Sequence, residues 1–128
     1  MAKRMIHFFC PSCWRGIPDF VIICPYCQYD LKSYQSLSYE EKLIHALKHP
    51  VKEIRRTIIY IIGLKRLEKA VSELERMIDE EEDPIILMEI ANALRKIRSR
   101  KAKEVLDKMK SHKFPLIARY VEQNINHR

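Results

Sequence analysis

Apolar residues recur every three or four positions along the larger, C-terminal part of the chain, which is the spacing of one face of an α-helix. Leu43, Ala46 and Leu47 form the first apolar stripe. Denser stripes of Ile, Leu and Val follow within 51–64 and 85–97, with polar residues between them. The pattern predicts six helices, at 38–48, 51–63, 67–81, 84–97, 100–111 and 115–126.

Capping residues and prolines mark several of these helix ends. The segment Ser38–Glu41 has the Ser-x-x-Glu pattern of a capping box, in which the hydroxyl and the carboxylate satisfy free backbone N–H groups. Pro50 ends the first helix. Asp83 before Pro84, and then Pro115, mark two later starts, because proline at the first helical position loses no hydrogen bond. These signals predict a mainly α fold.

The predicted helices repeat with a period near thirty residues. A shift by 32 residues places Ile62, Arg66, Lys69, Ala70 and Leu74 on Leu94, Arg98, Lys101, Ala102 and Leu106. A shift by 31 residues places Pro84, Ile90 and Leu94 on Pro115, Val121 and Ile125. Because each unit of this length holds two helices, the period predicts a short α-solenoid in which helix pairs bury their apolar faces against their neighbours.

The best-defined unit runs from Asp83 to Ile97 and resembles the short HEAT-like repeats related to those of phycobilin lyases. The segment from His49 through Gly63 is similar, and the resemblance covers roughly 45–126. It implies a HEAT-like α-solenoid of about two full repeats bracketed by single helices. Since the helical part has no cysteine, the resemblance does not imply a thioether-forming lyase activity.

The N-terminal part carries the four cysteines of the chain in two Cys-x2-Cys hooks, Cys10–Cys13 and Cys24–Cys27, separated by ten residues. Four thiolates at this spacing can surround one tetrahedral Zn²⁺, and the segment 6–32 is too short to fold on apolar burial alone. Rubredoxin-like iron is the alternative metal. A redox-active cysteine pair is disfavoured because no βαβ pattern surrounds the hooks. The cysteine distribution predicts a metal domain at 1–34 and a helical domain at 35–128.

The hooks, the segment Ile17–Asp19 between them and Leu31 resemble the short zinc-ribbon family found at the ends of bacterial and archaeal proteins. That family has glycine directly after the second cysteine of each hook, where a left-handed backbone lets amides point at the sulfurs. Trp14 and Gln28 occupy those positions here. The resemblance implies a structural zinc ion whose ligands are Cys10, Cys13, Cys24 and Cys27.

The net charge of +7 is unevenly distributed. The segment Glu73–Asp83 has seven acids and one base, whereas Arg95–Lys113 has nine bases and two acids. Stacked repeats align the bases of successive intra-repeat turns into one basic edge, which either binds phosphates or an acidic protein surface or is only a solvated face. The basic edge comprises Lys65, Arg66, Lys69, Arg95, Lys96, Arg98, Arg100 and Lys101.

Aromatic residues are concentrated at the N-terminus. A ribbon of this size cannot bury them all, so we expect most to pack against the first helices. Trp14, beside a metal hook and next to Arg15, is the residue that we expect to contact a partner protein or a nucleic-acid base. Eight of the eleven aromatic residues lie in the first 39 positions: Phe8, Phe9, Trp14, Phe20, Tyr26, Tyr29, Tyr34 and Tyr39.

Catalytic patterns are missing from the sequence. The five histidines are scattered without metal-ligand spacing, two glycines are too few for a phosphate loop, and four thiolates leave a metal no open position. The segment Met1–Phe9 lacks the features of a secretion signal, and no apolar run is long enough to span a bilayer. We therefore expect a non-enzymatic, cytoplasmic protein. Its richness in Ile, Lys and Glu is typical of thermophilic sources.

The sequence predicts an interaction module or adaptor in which a zinc ribbon and HEAT-like repeats bind a partner protein. In this hypothesis the ribbon covers the first helices or makes a second contact with the partner. The alternative is a nucleic-acid-binding accessory factor that uses the basic edge. The identity of the partner and the oligomeric state are not encoded in any recognisable motif.

Overall fold

The computed structural model describes residues 8–18 and 21–125. The backbone divides into two compact units, Met1–Pro50 and Val51–Arg128, and each is described by itself. Asp19 and Phe20 lie outside the described residues, as do most of the segment Met1–Phe9 and the predicted helix end at 126.

The N-terminal unit begins with a small antiparallel ribbon. Strand β1 (Phe8–Phe9) pairs with β2 (Gly16–Ile17), and an isolated bridge joins Ile23 to Asp30. The buried core of this ribbon is correspondingly small and consists of Ile17 and Leu31 together with the cysteines Cys10 and Cys24. Because two of the four core residues are potential metal ligands, apolar burial alone provides little stability here.

Two helices follow the ribbon. Helix α1 (Leu31–Gln35) begins after Asp30, whose carboxylate accepts hydrogen bonds from the backbone N–H groups of Lys32 and Ser33. Helix α2 (Tyr39–His45) continues into a 3-10 turn at Ala46–Lys48. The predicted capping box at the start of α2 is confirmed: Glu41 N–H donates to the Ser38 hydroxyl at 3.1 Å, and Ser38 N–H donates to the Glu41 carboxylate at 2.9 Å.

The C-terminal unit consists of five α-helices within its described residues, and all of them lie where the hydrophobic periodicity predicts helices. A 3-10 turn at Glu68–Ala70 leads into the second helix. None of the helices in the described part of the chain combines the length and the apolar character that crossing a membrane requires. The helices are α3 (Lys52–Lys65), α4 (Val71–Glu80), α5 (Pro84–Ile97), α6 (Arg100–Met109) and α7 (Pro115–Ile125).

Helix α5 lies at the centre of this unit. It packs against both α3 and α7, while α4 packs against α6. Leu87, Ile90 and Leu94 of α5 are fully buried between these neighbours. Equivalent helices of successive pairs are therefore stacked side by side, which is the packing of an α-solenoid. The predicted fold class, a mainly α protein with a short stack of helix pairs, is confirmed.

The turn inside each helix pair has the same backbone conformation. Arg66 ends α3 with φ 54° and Arg98 ends α5 with φ 61°, both in the left-handed region. These are the two arginines that the 32-residue shift superimposes. After the second turn, the Ser99 hydroxyl accepts a hydrogen bond from Ala102 N–H at 3.1 Å and caps α6. The 32-residue sequence repeat therefore corresponds to a structural repeat, in which Arg66 and Arg98 occupy equivalent positions of the two turns.

Asp83 fixes the start of the central helix. Its carboxylate accepts a hydrogen bond from Ile85 N–H at 2.8 Å and pairs with Lys52 of α3 at 2.8 Å. We expect Asp83→Ala to lower the free energy of unfolding by about 1–2 kcal/mol, because a helix cap is lost. Urea denaturation measures this, with Asp79→Ala as the control that removes an exposed carboxylate from α4. Equal effects of the two substitutions would contradict the capping role.

The same carboxylate makes this contribution pH-dependent. The hydrogen bond from Lys52 and the bond from Ile85 hold the pKa of Asp83 below its ordinary value of 3.8. The unfolded chain therefore binds the proton first as the pH falls. The stability that Asp83 contributes is fully present above about pH 4 and is lost as the pH drops through the lower pKa of the folded state.

Candidate metal centre and the family of the helical repeats

The two cysteine hooks have the same hydrogen-bond pattern. In each, the N–H of the residue after the second cysteine donates to the carbonyl of the first, at 2.7 Å for Trp14 and 2.9 Å for Gln28. The N–H two residues after the first cysteine donates to that cysteine's sulfur, at 3.3 Å for Ser12 and 3.4 Å for Tyr26. Each loop thus turns its two sulfurs to one side and presents amide dipoles that favour the thiolate form.

The four sulfurs converge at one point. All of them lie within 4.8 Å of one another, with Cys10 Sγ 3.6 Å from Cys27 Sγ and Cys13 Sγ 3.7 Å from Cys24 Sγ. Four thiolates at the usual Zn–S distance of about 2.3 Å from one ion stand about 3.8 Å apart at the corners of a tetrahedron. The sulfurs are too far apart for a disulfide bond of about 2.0 Å. The predicted ligand set therefore fits one tetrahedral metal ion.

Two of the thiols ionise at different pH values. Burial disfavours the thiolate of Cys24, but the N–H groups of Cys27 and Tyr26 donate to its sulfur and the pKa falls to about 7. For Cys13, a backbone hydrogen bond from Arg15 is outweighed by burial and by the three other sulfurs, and the pKa rises to about 11. Thiolates this close repel each other, and a bound cation would offset that repulsion.

Trp14 and Gln28 both adopt the left-handed conformation, with φ 62° and φ 69°. These are the positions at which the zinc-ribbon family has glycine. A residue with a Cβ is strained in this region, by roughly 1–2 kcal/mol. The hook geometry is therefore retained without glycine, and the backbone strain is present in both loops.

Gln28 offers a direct test of this strain because its side chain is exposed. We expect Gln28→Gly to raise the free energy of unfolding of the N-terminal unit by about 1 kcal/mol, since the strain is relieved and no buried contact is lost. Chemical denaturation with the metal bound measures the change. The matched control is Trp14→Gly, which relieves the same strain but removes the half-buried indole, so we expect no net gain. Destabilisation by Gln28→Gly would contradict the argument.

The aromatic rings of this unit pack against two histidines. The Trp14 ring centroid lies 4.5 Å from that of His49, and Tyr29 and Tyr34 lie 6.2 and 5.5 Å from His45. Trp14 is therefore half-buried, whereas Phe9 and Tyr26 remain exposed. This packing role of His45 and His49 was not predicted, because scattered histidines carry no sequence signal for ring packing.

Comparison with known protein families decides the identity of the helical part. The model of the family described as HEAT repeats matches residues 40–125. The chain belongs to the HEAT-repeat family. The cysteine hooks precede the residues matched to the HEAT repeats. No curated protein and no solved structure gives a significant match.

The basic edge of the HEAT repeats is not uniform. Lys101 pairs with Glu75 at 3.4 Å, and the Lys96 ammonium lies 4.6 Å from the centroid of the Tyr60 ring. Lys65, a third cation of the edge, is exposed at the C-terminal end of α3. The other cations of the edge are exposed, and within residues 8–18 and 21–125 none of them lies at ion-pair distance from a carboxylate; they are Arg66, Lys69, Arg95, Arg98 and Arg100.

Proposed function

We propose that the N-terminal unit is a structural zinc ribbon whose ligands are Cys10, Cys13, Cys24 and Cys27. The observation that carries this proposal is the spacing of the sulfurs, 3.6 and 3.7 Å in the two closest pairs, which matches the edges of a tetrahedral thiolate site. Four thiolates fill the coordination sphere of the ion. Zinc would stabilise the fold and leave no open position for a substrate.

We further propose that the protein as a whole is a non-enzymatic interaction module, located in the cytoplasm, that binds a partner protein. HEAT repeats generally bind other proteins through extended faces built from equivalent positions of successive repeats. Two such positions are exposed here. Ile85 and Leu116, one repeat apart in the first turns of α5 and α7, are 51% and 50% exposed. A row of large aliphatic side chains in water favours a protein partner over nucleic acid.

The test uses the zinc-loaded full-length chain as bait in a nuclease-treated native lysate. We expect a protein to be retained by the wild type and lost with Ile85→Glu/Leu116→Glu. The control is Arg119→Ala, which truncates an exposed side chain of α7 without adding charge. Retention of the same protein by the double variant would contradict the assigned face. Loss of all binding on nuclease treatment would favour the nucleic-acid alternative.

A further inference from the structure

We propose that the basic edge binds an acidic, leucine-containing segment of the partner protein; this inference rests on the proposed protein-binding function. The edge lies where α3 and α5 end, whereas Ile85 and Leu116 lie where α5 and α7 begin. A helix of this length spans about 20 Å, so the basic edge is a second surface, distinct from the aliphatic row. Three observations support it: the distribution of ion pairs, the backbone of two arginines, and the neighbouring apolar side chains.

Ion pairs divide the cations of the C-terminal unit into two groups. Several along the helices and at the turns between repeats pair with acids; examples are Lys52 with Asp83, Arg55 with Glu81 and Lys113 with Glu82. Five at the two intra-repeat turns are exposed and lie at ion-pair distance from no carboxylate within residues 8–18 and 21–125, whereas Lys101 pairs with Glu75. Because acidic residues are abundant in this unit yet pair elsewhere, the edge retains a local positive potential that an anionic partner can neutralise. The exposed set is Arg66, Lys69, Arg95, Arg98 and Arg100.

The backbone of Arg66 and Arg98 points to a role for their side chains. Both residues are left-handed at the end of a helix, a position where glycine is the usual residue because it adopts positive φ without strain. Strain held at the equivalent position of both repeats has no local structural benefit, since these side chains are exposed and form no ion pair within the described chain. Such strain is typical of residues retained for binding.

Apolar groups beside the edge distinguish an acidic peptide from nucleic acid. Leu64 is 55% exposed and Tyr60, one helical turn before it, is 47% exposed. Lys96 crosses from α5 to cover Tyr60 and leaves less of the ring free for stacking on a base. An exposed leucine has no aromatic face on which a base can stack, but it can pack against an apolar residue of a peptide. The combination of arginine, tyrosine and leucine is typical of protein interfaces.

The proposed interaction can be tested with defined probes. Fluorescence anisotropy measures binding of the zinc-loaded protein to a fluorescein-labelled peptide rich in Glu and Leu, and to a single-stranded oligonucleotide of the same charge. We expect peptide affinity to fall about ten-fold in Arg66→Glu/Arg98→Glu. Lys113→Glu/Arg119→Glu changes the net charge equally but lies outside the intra-repeat turns, so its affinity should stay close to that of the wild type. Leu64→Ser should weaken peptide binding without affecting the oligonucleotide.

A second pair of substitutions separates binding from stability. We expect Arg66→Gly/Arg98→Gly to raise the melting temperature, because the left-handed strain is relieved, and at the same time to weaken peptide binding. A lower melting temperature would mean that the arginines serve the fold and would overturn the proposal. This variant also keeps the test valid if charge reversal prevents folding.

Three further outcomes overturn the proposal. Equal loss of peptide binding in both charge-reversal variants would indicate attraction by net charge only. Tighter binding of the oligonucleotide than of the peptide would assign the edge to nucleic acid. Absence of peptide binding, with a protein still captured through Ile85 and Leu116, would refute this inference and leave the proposed function intact. Failure of that capture, with edge-dependent peptide binding retained, would refute only the aliphatic face.

Discussion

Removal of the proposed zinc ion by a chelator should unfold the cysteine ribbon and leave helices α3 to α7 folded. The ribbon has a core of two aliphatic side chains, Ile17 and Leu31, and two cysteines, so little apolar surface is available to hold it without the ion. Structural zinc bound by four thiolates contributes about 10–16 kcal/mol in small domains, more than the net stability of most proteins. The helices α3 to α7 bury their own core and include no metal ligand, so they should retain their far-UV circular dichroism.

Trp14 reports on this transition because it is the single tryptophan of the chain. Its ring is half-buried against His49, and we expect its emission to shift to the red when a strong chelator is added. Cys10→Ser should produce the same shift without chelator, since a buried ligand is lost. Ser12→Ala, an exposed substitution within the same hook, should leave the emission unchanged. An unshifted spectrum in the metal-free protein would show that the unit folds without the ion.

Gly63→Leu should destabilise the HEAT stack by about 3 kcal/mol. A Cβ at position 63 would lie 2.9 Å from the Cα of Ala93, so the backbones of α3 and α5 are in direct contact at this point. Backbone atoms cannot rotate away as the end of a flexible side chain can. The larger leucine side chain therefore has to separate the two helices, and overpacking of this kind typically costs about 1–3 kcal/mol.

Urea denaturation monitored at the helical circular dichroism band measures this effect. Thr57→Leu is the control, because it introduces the same side chain at an exposed position of α3. We expect it to change the free energy of unfolding by less than about 0.5 kcal/mol. A neutral or stabilising Gly63→Leu substitution would mean that α3 and α5 do not approach as closely as described.

Most helices could be predicted from the sequence because their apolar stripes are dense and their ends carry prolines or capping residues, as at Ser38 and Asp83. Helix α1 was not predicted. It buries only Leu31, and its other residues are polar, so it has no apolar period. The sequence feature that indicated the start of α1 was Asp30, because aspartate is favoured as the capping residue before a helix. A single capping residue is too common to predict a helix without a stripe to follow it.

The candidate metal centre was predicted from cysteine spacing alone, because two short hooks that bind one ion need no long-range register. Contacts that depend on register could not be predicted. Lys101 pairs with Glu75 on a neighbouring helix, and Trp14 packs against His49, far away in sequence. The left-handed arginines were also unexpected, because arginine has no preference for that conformation. The repeat alignment nevertheless placed Arg66 on Arg98, which is where the structure has equivalent turns.

Binding of one zinc ion by the four cysteines is tested by measuring metal content and free thiols on the same sample of purified protein. Elemental analysis should find one zinc per chain. Titration should find the thiols of Cys10, Cys13, Cys24 and Cys27 protected until a chelator is added and reactive afterwards. Four freely reactive thiols with no bound metal, or two disulfides, would contradict the account.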